Sequence, residues 1–344
     1  MRNGCASRGS KGRAFFRAMS FLHFSLPFLI SHILFLICFS AQAQPLTLVE
    51  LNCENLFDCR HDSLKQDQEW LPEGVRRWSP GRYWRKVNSV GQVILSCLDD
   101  GIPNLVTLVE VENDSVLFDL TRRSLLRGAG YDYLMTESPD VRGIDVALLY
   151  DPMTFRPICY DILPIVPLKG MRPTRDVLYV RGETLSSDTL HVFVVHAPSR
   201  YGGGRKTRLY RELVVRTVLA AVEQLPAGAK VIMAGDFNEE AGGAVLQMLE
   251  QQGLHNVTAL ARGRYGQGKA TYRYEGRWQS IDHVLVSGSL AASVERVYIN
   301  DAPFLLEEDK KYGGYKPLRT FNGLRYQRGF SDHLPLVVRF AGMK

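Results

Sequence analysis

The chain has 344 residues, with 42 Lys and Arg against 36 Asp and Glu, and six Cys. Five of the cations and none of the acids fall in residues 1–43, so the remaining 301 residues carry 37 against 36, a formal +1. That balance excludes a uniformly basic nucleic-acid-coating protein, and four remaining Cys without a CxxC exclude a disulfide scaffold and a cysteine-built zinc site.

Arg2, Arg8, Lys11, Arg13 and Arg17 precede an apolar run over 21–40 and the small-x-small end Ala41-Gln42-Ala43. This pattern predicts a secretory signal peptide over 1–43, cut after Ala43, and a single mature domain over 44–344 in the periplasm or outside the cell. The alternative is a membrane anchor left uncleaved, because the run nearly matches a bilayer's thickness. Met19 is a second possible start. Export would allow Cys53 and Cys59 to bridge.

From 46 onward, short apolar, β-branched runs predict strands over 46–51, 105–109, 146–150, 177–180, 190–195, 231–234, 284–286, 294–299 and 336–340. Their continuous Val and Leu character implies burial on both faces. Helical spacing predicts helices over 83–98, 116–126, 206–225 and 242–251. No fixed-period repeat or linker divides the chain, so the pattern fits one α/β domain of stacked sheets with outer helices. Polar stretches over 60–82, 198–205, 261–279 and 301–329 are rich in Arg, Lys, Tyr and Trp. They are either solvated loops or the rim of a cleft for a phosphorylated ligand.

Acids, amides and imidazoles gather where the apolar runs begin or end. Asn52-Cys53-Glu54 follows the first run, Glu110 the second and His196 the fifth. Gly235-Asp236-Phe237-Asn238 follows the sixth. Asp282-His283 opens the seventh, and Ser331-Asp332-His333 opens the last. Strand ends of neighbouring antiparallel strands share an edge, so these groups can converge in one pocket. Each has a plainer explanation alone: a turn for Gly235 to Asn238, a solvated strand end for Glu110, a satisfied imidazole for His196, a strand cap for Asp282. Their common placement and order argue against coincidence.

This ordered set resembles the endonuclease/exonuclease/phosphatase superfamily, with the deoxyribonuclease I-like fold, over essentially all of 46–340. The resemblance implies a four-layer α/β sandwich, two stacked mixed β-sheets flanked by helices, and a divalent-metal-dependent phosphodiesterase. Carried over by position, Glu110 is the principal metal ligand, with Asn52, Glu54 and Asp332 beside it. Oxygen donors suit Mg²⁺ or Mn²⁺. Asp236 and Asn238 orient water and phosphate, Asp282 holds His333 as an acid/base or phosphate-binding group, and His196 contacts phosphoryl oxygens. Which imidazole is acid and which is base stays open. Val109 departs from the Gln many members place before the metal-binding Glu. Arg142, in Arg142-Gly143-Ile144-Asp145, resembles a bacterial phosphate fork, and Arg200, then Arg205 and Arg208, are further candidates.

The expected substrate is a phosphodiester, nucleic acid first, with no stable protein partner and a monomeric state. The same core also serves phosphoinositide phosphatases and sphingomyelinase-like lipid phosphodiesterases. A non-catalytic secreted binding protein is the reading from another class, and the complete set of acids and imidazoles weighs against it.

Overall fold

The computed structural model describes residues 45–200 and 203–342, so the expected signal peptide lies outside the described residues. Twelve strands form two six-stranded sheets. The first sheet uses β1 (Leu46–Leu56), β2 (Leu105–Val111), β3 (Asp132–Met135), β4 (Asp145–Tyr150), and the late strands β11 (Val294–Ile299) and β12 (Leu336–Phe340), in the order β11-β12-β1-β2-β4-β3. The second uses β5 (Phe155–Leu163), β6 (Val177–Thr184), β7 (Thr189–His196), β8 (Lys230–Asp236), β9 (Leu254–Asn256) and β10 (Asp282–Ser287), in the order β5-β6-β7-β8-β10-β9. Each sheet has one parallel pair at its centre, β1 with β2 and β7 with β8, and antiparallel neighbours outside it.

Alternation along the strands divides the apolar residues into three layers. Leu48, Leu105, Val109 and Leu148 of the first sheet meet Val180, Val192, Ile232 and Val284 of the second. The opposite face of the first sheet, including Val49 and Leu51, packs on Val87, Val90 and Ile94 of α1 (Pro80–Leu95). The outer face of the second, with Phe193 and Met233, packs on Val214, Val215 and Val218 of α3 (Gly204–Val222) and on Leu246 and Leu249 of α4 (Ala244–Glu250). The result is the four-layer sandwich. Each fully buried Val or Leu in these layers contributes about 1.5–3 kcal/mol. Among the described residues no helix is long and apolar enough to cross a membrane.

All nine strands expected from the apolar runs are present. The three unexpected sheet strands, β3, β5 and β9, are edges. An edge is half solvated and needs no continuous apolar run, and β5 alternates little and is mostly exposed. The helix expected over 116–126 is instead α2 (Asp114–Phe118), a π turn over Asp119–Arg123 and a 3₁₀ turn over Leu125–Gly128. Ser124 interrupts it: its backbone is extended and its side chain accepts from the Leu126 N–H, capping the new turn. Two of the four polar stretches contain small hairpins, Tyr272–Tyr274 with Arg277–Gln279, and Phe321–Asn322 with Arg325–Tyr326. Cys53 and Cys59 are free thiols.

Candidate active site

A cleft of about 1150 Å³ opens where β1, β2, β7 and β8 end and β10 and β12 begin. It is lined by Asn52, Glu54, Glu110, Arg142, His196, Arg200, Asp236, Asn238, Asp332 and His333. Asp282 lies beneath its floor, wholly buried.

The parallel pair β1–β2 breaks register just here, stepping from Asn52 opposite Val109 to Leu56 opposite Val111. Glu54, Asn55 and Glu110 all take positive φ across the break. Such a bulge re-aims side chains that a regular strand would alternate between faces. Glu110 Oε2 accepts the Asn55 N–H at 2.9 Å, and its Oε1 lies 3.8 Å from Arg142 and 3.9 Å from His196 Nε2, too far for hydrogen bonds. Asn52 Nδ2 donates to Asp236 Oδ2 at 3.2 Å, and Ser331 Oγ ties the Asn52 carbonyl to the β12 entrance at 2.7 Å.

In the second sheet His196 pairs with Asp236 across β7–β8, and Asp236 pairs with Asp282 across β8–β10. Gly235 makes this alignment possible. At φ +145° a Cβ there would stand 1.8 Å from the Val195 carbonyl oxygen. Asn238 N–H donates to Asp236 Oδ1 at 2.8 Å, and its side chain donates to the Ala197 carbonyl at 3.1 Å. From just ahead of β12, His333 Nδ1 reaches Asp282 at 2.8 and 3.0 Å, while Thr271 donates to the same carboxylate. Tyr272 covers the His333 ring at 4.8 Å between centroids.

Burial sets the protonation pattern. It pushes the Asp236 carboxyl up to about 7, helped by the Asp282 charge and opposed by His333. For His333 burial alone would lower the pKa, but the charge and hydrogen bond of Asp282, with Asp332 and Asp236, outweigh it and hold the imidazolium well above its ordinary range. For His196 burial acts with Arg175 and Arg142 in the other direction, so its imidazole is neutral. The two imidazoles are therefore distinct: His333 carries the charge and His196 does not.

Two groups have donors suited to a metal. Ligand atoms of Asp236, Asp282 and His333 lie within 4.8 Å of one another. That group is already satisfied internally, since Asp282 is spent on His333 and Thr271. The oxygen-only set Glu110, Asn52 and Asp332 fits a hard divalent cation better, because Glu110 keeps an unbonded oxygen over the cleft. Glu54 is bonded to the last polar stretch. Its Oε2 accepts the Thr320 N–H at 2.6 Å, and its Oε1 lies 3.4 Å from the Phe321 N–H and 3.5 Å from Arg319 Nε. Arg142 and Arg200 both line the cleft, Arg200 leaning on Glu239 and Glu240. Arg208 pairs with Glu212 one turn along α3, and neither it nor Arg205 lines the cleft.

Several residues in the site carried no sequence signal. Arg175 is buried, bonds Asp140 and the Ala197 carbonyl, and stands behind His196. Its segment resembled no motif. Arg319 reaches Asp332 Oδ2 at 2.6 Å from inside the last polar stretch. Glu50 is wholly buried on the face between the sheets, with neither carboxylate oxygen hydrogen-bonded.

Known proteins place this architecture. Solved structures with the same fold include an endonuclease/exonuclease/phosphatase family protein from Bacteroides thetaiotaomicron (18% identity, TM-score 0.58, covering 87% of this chain and 98% of that one). A mannosyl-6-phosphatase from the same organism matches at 18% identity and TM-score 0.57, covering 85% and 98%. The human nocturnin catalytic domain with a bound sulfate anion matches at 18% and 0.53, covering 87% and 95%. No curated protein sequence matches the chain. The sequence model of the Endonuclease/Exonuclease/phosphatase family matches residues 47–342. With its fold shared and residues 47–342 matched by that sequence model, the chain belongs to the endonuclease/exonuclease/phosphatase family, whose members are hydrolases of phosphoric esters.

Proposed function

We propose that the chain is a Mg²⁺- or Mn²⁺-dependent phosphodiesterase, with nucleic acid as its first candidate substrate. The observation that carries this reading is the sharp difference between neighbouring titratable groups: a carboxyl near neutrality, a charged imidazole and a neutral imidazole on one cleft floor beside Glu110. Pairs whose environments drive their pKa values apart mark acid and base assignments. Glu110, with Asn52 and Asp332, would hold the divalent ion, which supplies charge stabilisation for the phosphoryl oxygens. Asp236 takes the proton of the attacking water, and Asn238 holds the backbone turn that aims it. His333, fixed at Nδ1 by Asp282, presents Nε2–H to the departing side of the ester. His196, neutral and between Glu110 and Asp236, donates to a phosphoryl oxygen. Arg142 and Arg200 bind anionic oxygens along the cleft. The acid-free basic leader supports export of this activity.

A phosphomonoesterase is the second reading, favoured by the near-neutral charge beyond residue 43, which gives weak sequence-independent hold on a polyanion. The mannosyl-6-phosphatase shows that its own version of this fold serves a phosphatase. The test is hydrolysis by the purified chain of plasmid DNA, RNA, bis-p-nitrophenyl phosphate, p-nitrophenyl phosphate, phosphoinositides and sphingomyelin, with metal and with chelator. Turnover of the diesters that stops in chelator supports the proposal. Turnover of monoesters alone replaces it with the second reading. Glu110→Gln should lower the rate by orders of magnitude, with partial recovery at raised Mn²⁺, and an unchanged rate at low metal sinks the metal assignment.

A further inference from the structure

The stretch from Tyr315 to Phe330 contributes Arg319, Phe321 and Gly323 to the lining of the cleft and is latched at Thr320 and Phe330. Thr320 gives its N–H to Glu54 at 2.6 Å and its hydroxyl contact to Lys86 Nζ at 2.7 Å, and Lys86 also donates to the Phe330 carbonyl at 2.5 Å. Glu54 and Lys86 are both buried. The neighbouring side chain, Arg319, is thereby projected forward. Its Nη2 donates to Asp332 Oδ2 at 2.6 Å, its Nε lies 3.5 Å from Glu54, and its Nη1 donates to no described residue. It lines the cleft, and its side chain is 36% exposed. The two carboxylates Glu54 and Asp332 thus face two fixed cations, Arg319 and Lys86. Glu54, buried, has both carboxylate oxygens engaged, whereas Asp332, half-buried, gives only its Oδ2 to Arg319 and stays a candidate metal ligand.

We propose that Arg319 is a phosphate-binding residue of the cleft, and that Glu54 and Lys86 are positioning residues that hold it there, so that Glu54 serves the strap rather than the metal. The guanidinium keeps a free fork edge for a non-bridging phosphate oxygen, which an ammonium could contact only as a point charge. The claim rests on the phosphoesterase reading and deepens it: Arg319 joins Arg142, which lines the same cleft, in binding substrate phosphate.

Calorimetric titrations of the full chain with inorganic phosphate and, separately, with Mn²⁺ decide it, with circular dichroism as the folding control. Arg319→Ala should weaken phosphate binding at least tenfold, Arg319→Lys should recover part of it, and Mn²⁺ affinity should fall in neither. Glu54→Gln should leave Mn²⁺ affinity within about twofold of the parent while weakening phosphate, whereas Glu110→Gln should lose Mn²⁺. Phosphate affinity unchanged in Arg319→Ala overturns the proposal. Loss of Mn²⁺ in Glu54→Gln equal to that in Glu110→Gln overturns it as well, returning Glu54 to the metal. A parent chain that binds no Mn²⁺ counts against the metal reading alone, and the phosphate titrations still decide Arg319.

Discussion

Asp282 opens β10 of the second sheet and His333 lies just ahead of β12 of the first, and the two meet at 2.8 Å, so the bond between them ties the entrances of two strands from different sheets and is the source of the imidazolium. Asp282→Asn should cost about 10²-fold or more in rate while circular dichroism stays unchanged, and His333→Ala should cost as much or more. The two act as a unit, so a double-mutant cycle should be far from additive. Simple multiplication of the two losses would remove the pairing from the mechanism. The pH profile follows from the same residues. Asp236 must be ionised to act as base, and its carboxyl sits at about 7, so the rate should rise with pH through about 7. It should fall again only well above the ordinary imidazole range, where His333 loses its proton. In Asp236→Asn the acid limb should disappear from the residual activity; a limb that persists near 7 assigns it to another group.

At the level of strands, the site is the product of two irregularities, the bulge that turns Glu54 and Glu110 and the glycine that lets β8 approach β7. Gly235→Ala should destabilise by about 3 kcal/mol, because it adds backbone strain to a clash with the Val195 carbonyl. Thermal unfolding and the hydrolysis rate should both fall. A Tm within a degree of the parent would mean the strands separate freely at this point, contrary to the close approach. The central strands were legible because burial on both faces writes Val and Leu in succession, and the site residues were legible because they sit where those runs stop. Edge strands such as β5 leave no such trace. Nor does Arg319, whose place depends on a latch between α1, β1 and a late loop that no local pattern announces. Glu54 illustrates the same limit. Its spacing from Asn52 is visible in the chain, but the partners that occupy its oxygens are not.

Across the whole molecule, Glu50 is a carboxyl set between the two sheets beneath the site, with no hydrogen bond and with Asp282 and Asp236 near it. Burial, then Asp282 and Asp236, push its pKa well above the carboxylate range despite His333, so the fold favours its protonated form. Its contribution to stability is complete below the ordinary carboxylate pKa and is lost as pH rises toward the raised value. Glu50→Gln should therefore match the parent Tm in acid and exceed it increasingly as pH rises. A gap that is constant with pH, or a parent that gains stability in alkali, contradicts this assignment. The strand order carries a further consequence. β12, the last strand among the described residues, lies inside the first sheet, between β11 and β1, and has Asp332 and His333 at its mouth. A polypeptide made from its N-terminus thus exposes the β1 edge and has no assembled catalytic centre until the stretch carrying Asp332, His333 and β12 arrives. Closing that gap joins the most distant parts of the chain, a slow kind of step in folding. Hydrolytic activity is consequently acquired only once residues 332–340 have joined the sheet, which delays its chemistry until that stretch has been made.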